Sequence, residues 1–220
     1  MTEFTIYGER HSGTNFLQKV ICENFGLQVT WPFGWKHFGI GYKDEDISAK
    51  QDVIILGIAR NPYDWIGGMS KQPWHIPPKN KNIKCLISKE WYSISDSRVV
   101  NPKLFGQEIM QDRDWRTNKR YKNIFAMRAN KLSYMKYDLS KLTPNYYLMT
   151  YEELCNNLDK VLTEIGDRFN LKRHKSKTQV RSQNQYTFDE SVLDVINNNL
   201  NWDIENAYGY HIDQNRNRML

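Results

Sequence analysis

At 220 residues with a formal net charge of +6 and a pI near 9.1, the chain is long enough to bury a sizeable core and is biased toward anionic ligands. A hydrophobic fraction of 40% with 13% aromatic residues excludes a disordered chain, despite a mean hydropathy of -0.73. Three widely spaced cysteines, Cys22, Cys85 and Cys155, exclude a disulfide framework and a cysteine metal site, and suit a reducing compartment.

No apolar run approaches the ~20 residues of a membrane-spanning helix, and the first predicted strand starts too near Met1 to leave room for a signal peptide. The expectation is a soluble, cytoplasmic protein with no membrane partner. The absence of repeats or a composition break predicts a single domain over residues 1–220.

The chain opens on Thr5-Ile6-Tyr7, a β-branched and aromatic run that enters the loop Gly8-Glu9-Arg10-His11-Ser12-Gly13. Phe16, Leu17, Val20, Ile21 and Phe25 then follow helical spacing, with Gly26 placed to cap the helix end. Strand, tight loop and helix N-terminus form the geometry that holds a phosphate-like dianion, because backbone N–H groups and the helix dipole converge there. Gly8 and Gly13 carry the G-x-x-x-x-G spacing of a phosphate loop. The next two residues are Thr14 and Asn15, where a nucleoside triphosphatase has Lys and a Mg²⁺-holding Ser or Thr. Positive charge lies inside the loop instead, at Arg10 and His11, which predicts an anion site without metal.

Residues 27–40 suggest a second strand ending near Lys36-His37, and residues 44–50 read as a polar turn. The run Val53-Ile54-Ile55-Leu56-Gly57-Ile58-Ala59 reads as a buried parallel strand with Arg60 at its C-terminal end. Pro62 suits the first turn of a helix reaching about Ser70. In open α/β sheets ligands sit beyond the carboxyl ends of the strands, so Arg60 and the first loop should face one crevice. A triphosphatase would place a Mg²⁺-binding Asp where Arg60 stands.

Residues 71–84 read as a loop because of Pro73, Pro77 and Pro78; it is either a lid over an acceptor or an ordinary excursion. Residues 86–115 carry only mixed short helical signals. A helix is predicted over residues 118–137, a strand over 146–150 and a helix over 152–169. A basic, polar loop over 171–185 precedes helices over 189–200 and 203–208. Strands alternating with helices predict a doubly wound α/β sheet.

Several of these segments together resemble one family. Gly8 to Leu17 resembles the 5′-phosphosulfate loop of the sulfotransferases that use 3′-phosphoadenosine 5′-phosphosulfate (PAPS). Arg60-Asn61-Pro62-Tyr63-Asp64-Trp65 resembles their 3′-phosphate motif, Arg-Asp-Pro-x-Asp. Trp35-Lys36-His37-Phe38 is similar to the strand carrying their basic residue and catalytic His. Tyr147-Leu148-Met149-Thr150-Tyr151-Glu152-Glu153-Leu154 is similar to their late strand-to-helix junction, and Glu205-Asn206-Ala207-Tyr208-Gly209-Tyr210 to their C-terminal helix. The resemblance implies a three-layer α/β/α fold with a mostly parallel sheet and P-loop-like architecture. It also implies transfer of the sulfuryl group from PAPS, releasing PAP, to a hydroxyl or amine acceptor, a carbohydrate or small molecule.

On that resemblance, Arg10, His11, Ser12, Gly13, Thr14 and Asn15 would hold the phosphosulfate, and Arg60 the 3′-phosphate. The family usually has Lys or Arg at the position of His11; either His11 is protonated in the site, or Arg10 or Lys36 stabilises the leaving group. The family's second 3′-phosphate ligand, a Ser, falls on Gly68, with Ser70 two residues later and about 200° around the helix. Lys175, Lys177 and Arg181 lie where the family often brings a basic loop over the nucleotide, a pattern a solvated surface loop shares. His37 is the leading base, since an imidazole with pKa ~6.5 accepts a hydroxyl proton at neutral pH. His75 is the second candidate; His174 and His211 read as surface residues. Lys36 and His37 would point to opposite faces unless the strand has ended there.

Two other classes fit parts of the sequence. A P-loop kinase accounts for the glycine spacing, without its Lys. A basic module for nucleic acid or another polyanion accounts for the net charge and for the aromatics among basic residues near 113–128. The latter pattern equally fits an amphipathic helix packed on a sheet, which argues against nucleic acid as the partner.

Overall fold

The computed structural model describes residues 3–37, 41–96, 101–174, 178–180 and 183–217. In chain order its main elements are β1 (Glu3–Gly8), α1 (Thr14–Phe25), β2 (Gln28–Val29), α2 (Asp44–Ala49), β3 (Val53–Ala59), α3 (Pro62–Lys71), α4 (Ile83–Ser88) and α5 (Ile124–Ser133). These are followed by α6 (Leu139–Leu142), β4 (Tyr146–Thr150), α7 (Tyr151–Asn156), α8 (Leu158–Phe169), α9 (Glu190–Asn199) and α10 (Trp202–Ala207). The chain divides into two compact units. One comprises residues 1–61 and 134–184, the other residues 62–133 and 185–220.

The first unit holds a four-stranded parallel sheet in the order β2-β1-β3-β4. β1 lies against β3 over its whole length, with Glu3 opposite Val53 and Gly8 opposite Ile58. All seven residues of β3 are buried, as a continuous apolar run flanked by strands on both sides requires. On one face, Phe4 and Ile6 of β1 and Ile54, Leu56 and Ile58 of β3 pack with Leu17, Val20 and Ile21 of α1 and Val161, Leu162 and Ile165 of α8. Gly26 ends α1 in the left-handed region (φ 67°), its N–H donating to Cys22 O at 3.0 Å.

The order has a functional consequence. From β1 the chain steps outward to β2, then returns to the opposite side of β1 for β3 and continues outward to β4. The carboxyl ends of β1 and β3 therefore flank the point where the winding reverses, which is where open α/β sheets leave a crevice.

Several expectations differ from the structure; the helix predicted over 152–169 is two helices, α7 and α8, that meet at Asn157. Residues 44–50 hold the short helix α2, whose first turn is all acidic (Asp44, Glu45, Asp46) and complements the helix dipole, with Ile47 buried beneath. The second strand is only two residues long. The chain turns over Trp31–Gly34, where Pro32 has no N–H to give a ladder and Gly34 sits at φ 95°. The helix predicted from residue 118 begins at Ile124, because Asn118 is left-handed (φ 54°) and Tyr121 instead pairs with Trp91 across an antiparallel bridge.

The second unit is helical. Trp65, Ile66 and Met69 of α3, Leu86 and Ile87 of α4, Phe125 and Met127 of α5 and Ile196 of α9 share one apolar cluster. A buried ion pair, Arg128 with Glu205, joins α5 to α10, and the Arg128 guanidinium lies 4.6 Å from the centre of the Trp65 ring. Asp64 of α3 accepts from Arg216 Nη1 at 2.6 Å and from Tyr186 N at 3.0 Å. Among the described residues no helix is long and apolar enough to cross a membrane.

Candidate active site

The carboxyl end of β1 runs into a loop closed on itself. Ser12 donates to Glu9 O twice, from its amide at 3.1 Å and from its hydroxyl at 2.6 Å. Its hydroxyl proton is thereby committed to the turn. His11 holds a left-handed conformation (φ 63°), a strain of order 1–3 kcal/mol that a non-glycine residue keeps only where its surroundings enforce it. Gly13, also left-handed (φ 96°), is the N-cap of α1. Gly13 has no side chain with which to cap this helix start and the first turn has no acidic residue, so the amides after Gly13 and the positive end of the dipole favour an anion. Arg10 and Thr14 are buried, and Asn15 is exposed.

Arg60, at the tip of β3, reaches this loop. Its Nη1 donates to His11 O at 3.0 Å and its Nη2 to Asn184 O at 3.2 Å. The guanidinium lies over the Tyr151 ring, 4.9 Å from its centre, and that ring rests against the bare Cα of Gly13. Tyr151 is placed there by a capping box. Thr150 Oγ1 accepts from Glu153 N at 3.1 Å while Glu153 Oε2 accepts from Thr150 N at 2.8 Å, so α7 starts directly at the end of β4. Glu152 Oε1 accepts from Asn61 N at 3.0 Å and ties the end of β3 to the same helix.

Lys36 and His37 complete the group. They lie beyond the strand, in a turn, and both side chains point to the first loop. Lys36 Nζ donates to Asn15 Oδ1, and Gly8 N donates to Lys36 O at 3.1 Å. Burial lowers the Lys36 pKa, and the Trp31 ring centre is 5.8 Å from its ammonium. His37 Nδ1 lies 2.6 Å from Gly8 O. A carbonyl oxygen only accepts, so Nδ1 carries the hydrogen and Nε2 is the basic nitrogen of the neutral ring. The Trp35 ring meets His37 edge-on at 4.9 Å and fixes its plane.

Arg10, His11, Ser12, Gly13, Thr14, Asn15, Lys36, His37 and Arg60 thus surround one end of one sheet. No family model matches the chain, and no curated protein matches it. The chemistry is therefore read from the sequence motifs and the geometry.

Two further candidates belong to the second unit. Ser70 is on α3 in the second unit, where it lines an open cleft with Gly67, Lys71 and Tyr186. His75, also in that unit, has φ 61°; its Nδ1 donates to Ile94 O at 3.1 Å and its Nε2 is 3.6 Å from Asp96 Oδ2. His174 and His211 are exposed. Lys175, Lys177, Arg181 and Phe38 lie outside the described residues. Sequence reasoning gave Tyr151, Glu152 and Asn184 no part in the site. The Thr150-x-x-Glu153 spacing locates the helix start that carries the first two, whereas the reach of Asn184 to Arg60 spans 124 residues and has no local signal.

Proposed function

We propose that this chain is a PAPS-dependent sulfotransferase of three-layer, P-loop-like architecture, acting on a hydroxyl or amine acceptor. The observation that carries the reading is the 3.0 Å hydrogen bond from Arg60 Nη1 to His11 O. It joins two cationic turns, distant in sequence, at the crevice the strand order leaves open. The first turn has Thr14 and Asn15 where a Mg²⁺-dependent nucleotide enzyme has its Lys and its metal-holding Ser or Thr, and the second has Arg60 where such an enzyme has an Asp.

The residues present fit the donor. Bound PAPS supplies an activated sulfuryl group and a phosphate leaving group. The amides at the start of α1 would meet the charge that develops there, which is where preorganised donors are most effective, and Arg10 adds a cation to the same loop. Lys36 adds a cation whose pKa, lowered by burial, an anion would raise again. Arg60 presents a fork-shaped donor suited to the 3′-phosphate. His37 takes the acceptor proton on Nε2, its tautomer set by Gly8 O. Thr14 and Asn15 supply no ammonium for a γ-phosphate, which makes a kinase the weaker reading.

The test pairs binding with turnover. PAP should raise the melting temperature more than ATP with Mg²⁺. Transfer of labelled sulfate from PAPS to an acceptor panel should vanish in His37→Ala, by roughly 10²–10⁴-fold, with PAP affinity kept. Tighter binding of ATP with Mg²⁺ than of PAP would overturn the reading. Retained turnover in His37→Ala would remove that residue as the base.

A further inference from the structure

Resting on the sulfotransferase reading, we propose that Tyr151 is a positioning residue that sets selectivity for a 3′-phosphorylated nucleotide by fixing the Arg60 guanidinium. Arg60 has a long, flexible stem, and a guanidinium binds a phosphate tightly only when its fork is already oriented. Its contacts include two backbone carbonyls, His11 O at 3.0 Å and Asn184 O at 3.2 Å, and the face of the Tyr151 ring at 4.9 Å. The ring cannot drift. One side rests on Gly13, Phe16 meets it edge-on at 6.2 Å, and the Thr150–Glu153 capping box fixes its backbone. Tyr151 therefore supports the phosphate loop and the Arg60 side chain with a single ring. The carbonyls can be exchanged for phosphate oxygens when a ligand arrives, whereas the π-face stays beneath the guanidinium in both states.

A cation over an aromatic face is held by the ring's quadrupole, so withdrawing electron density weakens the contact without changing its shape. The experiment measures the ratio of PAP to 5′-AMP affinity by calorimetry on the full chain, with residue 151 as Tyr, Phe, pentafluorophenylalanine or Leu. Tyr151→Phe should keep the wild-type ratio within about twofold. The pentafluoro ring and Tyr151→Leu should each cut it about fivefold, with 5′-AMP affinity unchanged. In an Arg60→Ala background the same series should leave the ratio flat. An unchanged ratio with the pentafluoro ring overturns the inference and leaves the sulfotransferase reading standing. So does a parallel loss of PAP and 5′-AMP affinity, which would make the ring only a support for the loop. A wild-type protein that binds PAP no more tightly than 5′-AMP overturns both.

Discussion

Gly13→Ala isolates the contact on which the site geometry rests. Two separable effects are expected. The first is conformational: an L-residue at φ 96° costs about 1–2 kcal/mol relative to glycine. The second is a collision, since a Cβ at Gly13 would stand 2.2 Å from Tyr151 Cδ2 and 2.8 Å from Cε2. The ring cannot swing aside without leaving Arg60, so the overpacking adds about 1–3 kcal/mol. Gly26→Ala supplies the control, because Gly26 is also left-handed (φ 67°) but a Cβ there meets only His174 Nε2 at 3.7 Å. Urea denaturation followed by circular dichroism should give a loss of about 2–5 kcal/mol for Gly13→Ala against about 1–2 for Gly26→Ala. A cycle of Gly13→Ala with Tyr151→Leu should show coupling of at least ~1 kcal/mol, since the smaller side chain makes room for the methyl group. Equal losses in the two glycine variants, or an additive cycle, would refute the claim that the Tyr151 ring is wedged against the loop.

Two predictions concern the second unit. Glu205→Gln leaves Arg128, 1% exposed, without its carboxylate, and should destabilise by about 3–5 kcal/mol in urea titrations; joint replacement by Arg128→Met and Glu205→Leu should recover most of that. Glu108 receives bonds from Arg120 and Arg113, and the Arg120 hydrogen bonds above all hold its carboxyl at about 2, below the usual 4.5. A depressed carboxylate pKa stabilises the fold above the unfolded value and loses that contribution as pH falls through the folded one. Melting curves of Glu108→Gln should therefore lie below wild type by roughly 1–2 kcal/mol at pH 7, and the gap should close between pH 4.5 and about pH 2.

The strands β1, β3 and β4 are legible in the sequence because each is an apolar run bounded by turn residues, and so is α1, whose apolar spacing ends on Gly26. The expectation of an anion site without metal rests on residue type alone: Thr14 and Asn15 after the glycine, Arg60 after the strand. What escapes is decided by distant partners. Residues 118–123 have helical spacing, yet Tyr121 exchanges backbone hydrogen bonds with Trp91 instead. α2 is six residues long, too short for a periodicity, and only Ile47 of it is buried. The two compact units interleave along the chain, so no composition break could mark them.

The placement of Lys36 and His37 shows how such a non-local feature bears on chemistry. Had the strand continued, alternation would have put the two side chains on opposite faces. The turn at Trp31–Gly34 breaks that alternation, and both reach the β1 loop, Lys36 through Asn15 and His37 through the carbonyl of Gly8. Gly8 is also the residue at which β1 enters the loop that leads to α1. On the sulfotransferase reading, the turn that grips the donor therefore also dictates which imidazole nitrogen can take the acceptor's proton. A displacement of that turn would weaken donor binding and misplace the base together, so the two functions are coupled through one backbone carbonyl.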